Sequence, residues 1–425
     1  MGDSYTIPER AWILYDLANS AFILIVVTTI MPLFFKDIAA AGMAHSRSTA
    51  LWGYATAFAS LLIALLAPFL GALADLPGNK KRLFSAFWLT GVVATLCMVC
   101  IGRGQWFFCL VLLVAAKSGF SAANLFYDSL LVDVTRPSRM NRVSAAGFAW
   151  GYLGSCAPFV ACLALILLLP AAKGSQSLLS PPAARWSFVI TAWWWALFTV
   201  PLLCHVRQRY AAPATDHPLA YTFRQLRATL RHIRGQRAIF LFLLAYFCYI
   251  DGVDTVIVMA MVYGREIGLG AFFLVAVVLA IQVLAFPFTL LYGRLAQKYS
   301  ARNMILCAIG VYFIITLIGF YLPVMGEATR TLFFCLLAFL VASSQGGIQA
   351  LSRSYFGQII PKERAAEFFG FYNIFARFAT IFGPLLMALV GGLSGHSRYG
   401  ILSLVLLFAA GFAILRALPK EGEQR

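Results

Sequence analysis

Acidic and amide side chains stand inside two of the long apolar stretches of this 425-residue sequence. Asp16 and Asn19 lie three residues apart in the first stretch, and Asp251 and Asp254 have the same spacing in the seventh. An ionisable side chain at membrane depth costs at least about 2.5–3.5 kcal/mol on insertion scales, so each one is a functional candidate. We therefore expect Asp16, Asp251 and Asp254 to bind a proton or the ammonium group of a substrate, with Asn19 contributing next to Asp16.

Cationic and amide side chains occupy three further apolar stretches, at spacings that place each group on one side of a helix. These residues are Lys117 and Asn124 in the fourth stretch, Gln349 and Arg353 in the tenth, and Asn373 and Arg377 in the eleventh. Arginine pairs well with carboxylates, so Arg353 and Arg377 are candidates for the carboxylate of a zwitterionic substrate. The alternative is that the charges pair with one another, as Lys117 could with Asp16 or Asp128.

The composition indicates the class of protein that must position these residues. Hydrophobic residues make up 61% of the chain and charged residues 12%. In soluble proteins roughly 45–50% of residues are apolar and about 25% are charged. Continuous apolar runs exclude a soluble enzyme, a disordered chain and a collagen-like rod, and they disfavour an outer-membrane barrel, whose strands alternate. The sequence therefore predicts an all-α membrane protein.

Twelve apolar runs have the length of about 20 residues that a membrane-spanning helix needs. They cover residues 11–35, 51–74, 83–102, 106–134, 143–170, 185–206, 238–263, 270–293, 303–323, 331–357, 367–393 and 397–418. Six runs lie on each side of a polar segment. This arrangement predicts an N-terminal six-helix bundle (1–206), a basic linker (207–237) and a C-terminal six-helix bundle (238–425).

The net charge of +17 is unevenly distributed between the two sides of the membrane. Lys and Arg number 22 on the side of both termini and of the linker, and 8 on the other side. Cytoplasmic loops collect Lys and Arg, so we expect a cell (inner) membrane protein with cytoplasmic termini. In the linker, Arg224, Arg227, Arg231 and Arg234 share one helical face, which favours binding to anionic lipids over binding to nucleic acid.

The two halves of the sequence repeat one another. Gly71–Asp75 at the end of the second run aligns with Gly293–Gln297 at the end of the eighth, and Asp16–Ser20 aligns with Asp251–Thr255. Repeated halves related by an axis along the membrane normal are typical of secondary transporters that bind substrate between the halves. The repeat therefore predicts a transporter that works by alternating access.

The segment Gly71–Lys81 resembles the signature loop of the major facilitator superfamily, a family of transporters with two six-helix bundles. In that family the loop joins the second and third spans and holds the two halves together against the end of the eleventh span. The resemblance implies a conformational latch formed by Gly71, Asp75, Gly78, Lys80 and Lys81. The second copy has a glutamine in place of the aspartate, so we expect the first copy to carry most of the latch.

A closer resemblance involves both halves. Trp12–Phe22 and Tyr249–Thr255 are similar to the signatures of a subfamily typified by fungal vacuolar amino-acid effluxers and their bacterial relatives, and Asn124–Gly154 is similar too. The resemblance implies export of neutral amino acids. Asp254 departs from that pattern, in which we expect a glutamine.

Two further groups of residues suggest structural roles. Trp193, Trp194 and Trp195 point in three directions on the sixth helix, and we expect them to face lipid. Asp133, Arg136, Arg139 and Arg142 lie at the membrane surface, and we expect these residues to form ion pairs between loops.

The sequence thus predicts a monomeric secondary transporter for a small zwitterionic or amphipathic solute, coupled to protons. A carrier of a larger amphipathic anion, such as a lysolipid, siderophore or peptidoglycan fragment, stays open, and so, more distantly, does a receptor without flux. The five histidines lie in or near loops and form no catalytic cluster, so we expect no enzyme. Cys97 and Cys100 have no second pair or histidine nearby, so we expect no metal and no cofactor.

Overall fold

A computed structural model of the chain describes residues 4–170, 179–232 and 237–418. Within these residues twelve helices are long and apolar enough to cross a membrane, and no strand is present. The spans, numbered one to twelve in chain order, are Ile7–Ala39, His45–Ala74, Asn79–Cys97, Trp106–Ser129, Pro137–Leu168, Pro181–His205, Arg237–Glu266, Ala271–Tyr299, Ala301–Tyr321, Glu327–Ile359, Ala365–Ser394 and Ser397–Arg416. The predicted all-α class with twelve spans is confirmed.

Short elements join or extend these spans. Leu131–Val134 is one helical turn after span four, and Met98–Cys100, Leu322–Val324 and Lys362–Arg364 are 3-10 turns. A separate helix, Pro218–His232, lies in the linker. Arg224, Arg227 and Arg231 of this helix are exposed, while Arg234 lies outside the described residues.

Local sequence explains where several helices begin. Span one starts with a capping box, in which the Thr6 backbone N–H donates to Glu9 Oε2 at 2.8 Å and the Glu9 N–H donates to Thr6 Oγ1 at 3.4 Å. These two bonds satisfy donors that the first turn leaves free. Before span three, Gly78 has a φ of 74°, a conformation that glycine adopts without steric cost.

Span one is irregular. Its α-helical part, Ile7–Ala21, continues into π-helical segments at Phe22–Ile30 and Phe35–Ala39, with Met31–Phe34 between them. π-Helical turns inside helices occur frequently at functional sites. Asp16 and Asn19 lie in the regular part, within two turns of the first irregular segment.

By their internal contacts the residues form two units. The first contains the chain up to Val134, Trp150–Leu219 and Glu363–Gly370, and the second contains Thr135–Ala149, Ala220–Lys362 and Phe371 onward. Each unit therefore includes a short segment from the other half of the sequence. The boundaries predicted at residues 206 and 237 do not include these two segments, because tertiary packing determines which unit each segment joins.

Aromatic packing supports each unit from inside. In the first, the rings of Trp12 and Tyr127 stack with centroids 4.4 Å apart, and Trp12 Nε1 donates to the Tyr127 carbonyl at 2.9 Å. In the second, Tyr246 and Tyr372 stack at 4.1 Å. These contacts fix the helices that carry the polar residues described next.

Candidate functional site

In the first unit, spans one and four bring two predicted residues, Asn19 and Asn124, together. Asn19 Nδ2 donates to Asn124 Oδ1 at 3.1 Å, and Asp16, one turn earlier on span one, is buried. Lys117 lies two turns before Asn124, and its ammonium donates to the Thr56 carbonyl at 3.5 Å. A hydrogen bond between two amide side chains therefore joins spans one and four, one turn from the buried Asp16.

In the second unit, span seven carries two carboxylates in different surroundings. Asp251 is fully buried, and its Oδ1 accepts a hydrogen bond from the Gly383 backbone N–H at 2.7 Å. Its Oδ2 has no hydrogen-bond partner in the part of the chain that the structure describes. Asp254 interacts electrostatically with Arg377 of span eleven. Asp254 thus interacts with an arginine, whereas Asp251 is held, among the described residues, by one backbone N–H.

Gly383 permits this approach of span eleven to span seven. A Cβ at this position would lie 2.1 Å from Thr255 Oγ1 and 2.7 Å from Asp251 Oδ1, closer than real Cβ contacts. Only glycine lets the backbone N–H reach the carboxylate without moving these atoms. Thr255 belongs to the aligned repeat of the sequence, but the sequence gives no reason to connect it with Gly383.

The polar residues of span ten have other contacts. Arg353 Nε donates to Ser144 Oγ at 3.0 Å, and a second guanidinium nitrogen donates to the Ser144 carbonyl at 3.2 Å. The guanidinium carbon lies 4.3 Å from the centroid of the Phe148 ring. Gln349 is half-buried and Asn373 of span eleven is buried. Arg353 is therefore engaged with the start of span five.

The predicted latch residue Asp75 contacts the start of span eleven. Its Oδ1 accepts a hydrogen bond from the Ala366 N–H and its Oδ2 accepts one from the Glu367 N–H, both at 2.9 Å. The first N–H groups of a helix have no intrahelical partner and carry partial positive charge. Asp75 therefore caps this helix from a distant part of the sequence.

The glycines and lysines of the loop have distinct roles. A Cβ at Gly71 would lie 2.1 Å from the Ala366 carbonyl oxygen, so glycine is required for the close approach. Lys80 is fully buried, with its ammonium 2.9 Å from Asp133 Oδ2 and 3.9 Å from Asp75 Oδ1. Lys81 is half-buried.

Asp75 lies just outside the membrane-spanning part of span two, and the pKa of its carboxyl group is shifted. Burial raises the pKa of its carboxyl to about 7, although Lys80 and the N–H groups of Glu367 and Ala366 act in the opposite direction. Removal from water disfavours the charged form of a carboxyl group. The contact with span eleven is therefore sensitive to pH near neutrality.

Sequence reasoning missed a second set of contacts around this loop. Gln208 Nε2 donates to the carbonyls of Ala74, Asp75 and Leu76 at 3.2–3.3 Å. Asp133 Oδ1 accepts hydrogen bonds from the backbone N–H groups at 209 and 210, at 2.8 and 2.9 Å. Asp133 forms its ion pair with Lys80 in the first turn of span three, a partner that the sequence did not predict. No sequence signal connects segments so far apart.

The tryptophan prediction is partly wrong. Trp193 is 65% exposed, as expected of a lipid-facing residue, whereas Trp195 is fully buried. Trp194 Nε1 donates to the Leu17 carbonyl at 3.2 Å. Three neighbouring positions on a helix face different surroundings, and composition alone does not distinguish them.

Within the described residues no group of three His, Cys, Asp or Glu side chains could hold a metal ion.

Comparison with known proteins identifies relatives of the chain. The family described as "Vacuole effluxer Atg22 like" matches residues 42–138 and 133–424. The uncharacterized MFS-type transporter YxiO of Bacillus subtilis is 45% identical over 418 residues, which cover 98% of this chain and 96% of the relative. Autophagy-related protein 22 of Eremothecium gossypii is 24% identical over 370 residues, covering 80% and 71%.

Solved structures are similar over nearly the whole chain. The transporter FucP in its outward conformation gives a TM-score of 0.72 at 16% identity, covering 97% of this chain and 98% of that chain. The proton:xylose symporter XylE gives 0.71 at 13% identity, covering 97% and 95%. At these identities the similarity shows the fold alone. The chain belongs to the vacuole effluxer Atg22-like family of the major facilitator superfamily, and it is a secondary transporter, not an enzyme.

Proposed function

We propose that this transporter exports a neutral amino acid in exchange for protons, by alternating access. The observation that carries the proposal is the Asp251 carboxylate, which is fully buried and bonded only by a backbone N–H among the described residues. A buried carboxylate without a cation either takes up a proton or binds a cationic ligand. One carboxylate cannot hold both a proton and an ammonium group, so the two bind in turn.

This mutual exclusion is the basis of the coupling. The substrate ammonium displaces the proton from Asp251 on one side of the membrane, and a proton displaces the ammonium on the other side. Export direction is supported by the word "effluxer" in the family description. Amino-acid specificity is supported by the resemblance of Trp12–Phe22 and Tyr249–Thr255 to the vacuolar amino-acid effluxers.

The substrate carboxylate needs a cationic partner. Arg377 is our candidate, because it lies beside Asp254 in the same unit as Asp251. Arg353 has its guanidinium on Ser144 and Phe148, which favours a structural role. Asp16, Asn19, Lys117 and Asn124 form the corresponding candidates of the first unit.

The loop after span two acts as the conformational latch in this proposal. Capping of span eleven by Asp75 stabilises one state of the cycle, and release of the cap opens the other. Lys80 and Asp133 hold the loop in position for this contact. The glycine at position 71 brings the two backbones together.

The placement in the cell follows from charge. We propose a monomer in the inner membrane with both termini in the cytoplasm, since 22 Lys and Arg residues lie on that side. The linker helix Pro218–His232 exposes Arg224, Arg227 and Arg231. Anionic lipid headgroups are their proposed partners, because clustered basic residues bind such surfaces.

Counterflow in proteoliposomes tests the function. Vesicles that contain purified protein are loaded with unlabelled solute, and accumulation of labelled solute from outside is followed. We expect accumulation with neutral amino acids and none in protein-free vesicles. Accumulation only with lysolipids or another amphipathic anion would reassign the substrate. Binding without counterflow of any solute would indicate a receptor.

A further inference from the structure

The second unit contains a cavity of about 420 Å³ where span seven ends and spans ten and twelve begin. Its lining includes four ionisable side chains, Glu266, Arg330, His396 and Arg398. Small-molecule pockets in proteins have volumes of roughly 300–1,000 Å³. Because the lining residues lie at the ends of membrane spans, the cavity is a pocket of small-molecule size at the membrane boundary.

Arg398, in the first turn of span twelve, is held mainly by aromatic rings. Its guanidinium carbon lies 5.5 Å from the centroid of the Phe320 ring and 5.1 Å from that of the Tyr399 ring. A guanidinium carries five N–H donors, but within the described residues Arg398 donates one hydrogen bond, to the Tyr399 hydroxyl at 3.5 Å. Its Nε is buried and has no partner among these residues. The rings therefore position a cation whose donors are largely unused by this part of the chain.

Arg330, in the first turn of span ten, brings a second buried donor to the cavity. Its terminal nitrogens donate to the backbone carbonyls of Ile267 at 2.9 Å, Met325 at 3.0 Å and Pro323 at 3.5 Å. Its Nε, like that of Arg398, is buried without a hydrogen-bond partner in the described part of the chain. Burying an unpartnered polar group is unfavourable, so a ligand with acceptor oxygens would satisfy both arginines.

The charge of the cavity favours an anion as that ligand. Glu266 is the single carboxylate of the lining, and its Oε1 accepts a hydrogen bond from the Ser397 hydroxyl. Neither Arg330 nor Arg398 forms an ion pair with any residue that the structure describes. Two arginines thus outnumber one carboxylate. Arginine binds phosphate and carboxylate oxygens through strong charge-assisted hydrogen bonds.

Apolar residues beside the cavity indicate where such an anion comes from. Val324, which lines the cavity, is 62% exposed, and Leu393, two residues before the lining Gly395, is 90% exposed. At the ends of spans these side chains can contact lipid acyl chains. Basic pockets between membrane helices bind lipid head groups. The surroundings therefore favour a phosphate group that is attached to a lipid.

We propose that this cavity binds a phosphate ester anion, with a phospholipid head group as its source. The phosphate oxygens accept hydrogen bonds from Arg330 Nε and from the Arg398 guanidinium, and the acyl chains lie along Val324 and Leu393. Span seven separates this place from the linker helix, so the site differs from the lipid contact proposed for that helix. The inference goes beyond the proposed function and does not depend on it.

Native mass spectrometry of the purified full-length protein tests the site. The probes are phosphatidylglycerol, diacylglycerol with the same chains, and glycerol 3-phosphate. All proteins carry Arg224→Gln, Arg227→Gln and Arg231→Gln, which remove the exposed linker cations. We expect phosphatidylglycerol to bind about tenfold or more tightly than diacylglycerol, because hydrogen bonds to a charged group are the stronger kind. Glycerol 3-phosphate that binds as tightly as the lipid would support the anion site with a free phosphate ester as its source.

Three variants in this background locate the binding. Arg398→Gln should weaken phosphatidylglycerol binding about tenfold or more, because a charged donor is lost. Glu266→Gln removes the negative charge of the lining and should tighten binding, which a merely structural role would not produce. Arg265→Gln is the matched control, since Arg265 is exposed beside Glu266 and does not line the cavity. Thermal unfolding of each variant checks that it is folded.

Several results would overturn the inference. They are absence of binding by both phosphate esters, equal affinity for phosphatidylglycerol and diacylglycerol, equal weakening by Arg398→Gln and Arg265→Gln, and weaker binding to folded Glu266→Gln. Arg330 is left unchanged in this test, because it also bridges the backbone after spans seven and nine. Counterflow of amino acids is measured separately, so loss of the lipid site leaves the transport proposal standing.

Discussion

The Asp75 Oδ2 accepts a hydrogen bond at 2.9 Å from the backbone N–H of Glu367, a residue 292 positions later in the chain. The bond joins the loop after span two to the first turn of span eleven. The helix terminus favours a negative charge, while burial favours the protonated acid. Burial is the larger effect and raises the pKa of Asp75 to about 7.

This pKa predicts a pH dependence with a defined sign. In a state where Asp75 is solvated, its pKa returns toward the ordinary value of about 3.9. The buried state therefore binds more protons between about pH 4 and 7, and it is stabilised as the pH falls through 7. Hydrogen exchange of residues 363–370, corrected for intrinsic rates, should show greater protection at pH 6 than at pH 8.

Asp75→Asn is the matched variant for this prediction. It keeps the shape of the side chain and cannot titrate, so protection of the same segment should no longer vary with pH. An unchanged pH dependence in this variant would assign the effect to another group.

Gly71 allows the close approach of span two to span eleven. Gly71→Ala places a methyl group 2.1 Å from the Ala366 carbonyl, and such overpacking costs about 1–3 kcal/mol. We expect a lower thermal unfolding temperature. Gly53→Ala, in the same helix with nothing within 4 Å of the added carbon, should be neutral or stabilising. Equal unfolding temperatures of the two variants would show that the backbones of spans two and eleven are not in close contact at Gly71.

The Lys80–Asp133 pair has both side chains fully buried at 2.9 Å. Removing one member of a buried pair leaves an uncompensated charge, which costs about 3–5 kcal/mol. We expect Lys80→Met to destabilise strongly and the exposed neighbour variant Arg82→Met to have little effect in thermal unfolding. The double variant Lys80→Met/Asp133→Asn should recover part of the loss. No recovery would mean that Asp133 is held mainly by the backbone at 209 and 210.

The contacts of Arg353 predict that its charge has a structural role and does not bind substrate. Its contacts with Ser144 and Phe148 predict that Arg353→Gln lowers the unfolding temperature and leaves substrate affinity of the folded protein unchanged. Titration calorimetry and thermal unfolding on the same preparation check both parts. Loss of affinity at normal stability would instead return Arg353 to the substrate site.

The sequence was sufficient for features that depend on local pattern. Twelve apolar runs predicted twelve spans, and the Gly71–Lys81 motif located a loop whose aspartate contacts span eleven. The partners of Lys80, Gln208 and Arg353 were beyond prediction, because each lies more than 50 residues away and is selected by packing. The same holds for the approach of Gly383 to Thr255 and Asp251, which depends on the packing of two distant helices.

The central claim is that Asp251 exchanges a proton for the substrate. Its most direct measurement is proton movement in proteoliposomes, followed with a trapped pH dye while an outward gradient of neutral amino acid is imposed. We expect proton entry with the wild type and with Asp216→Asn, a control in the exposed linker, and none with folded Asp251→Asn. Proton movement in Asp251→Asn equal to that of the wild type would contradict the account.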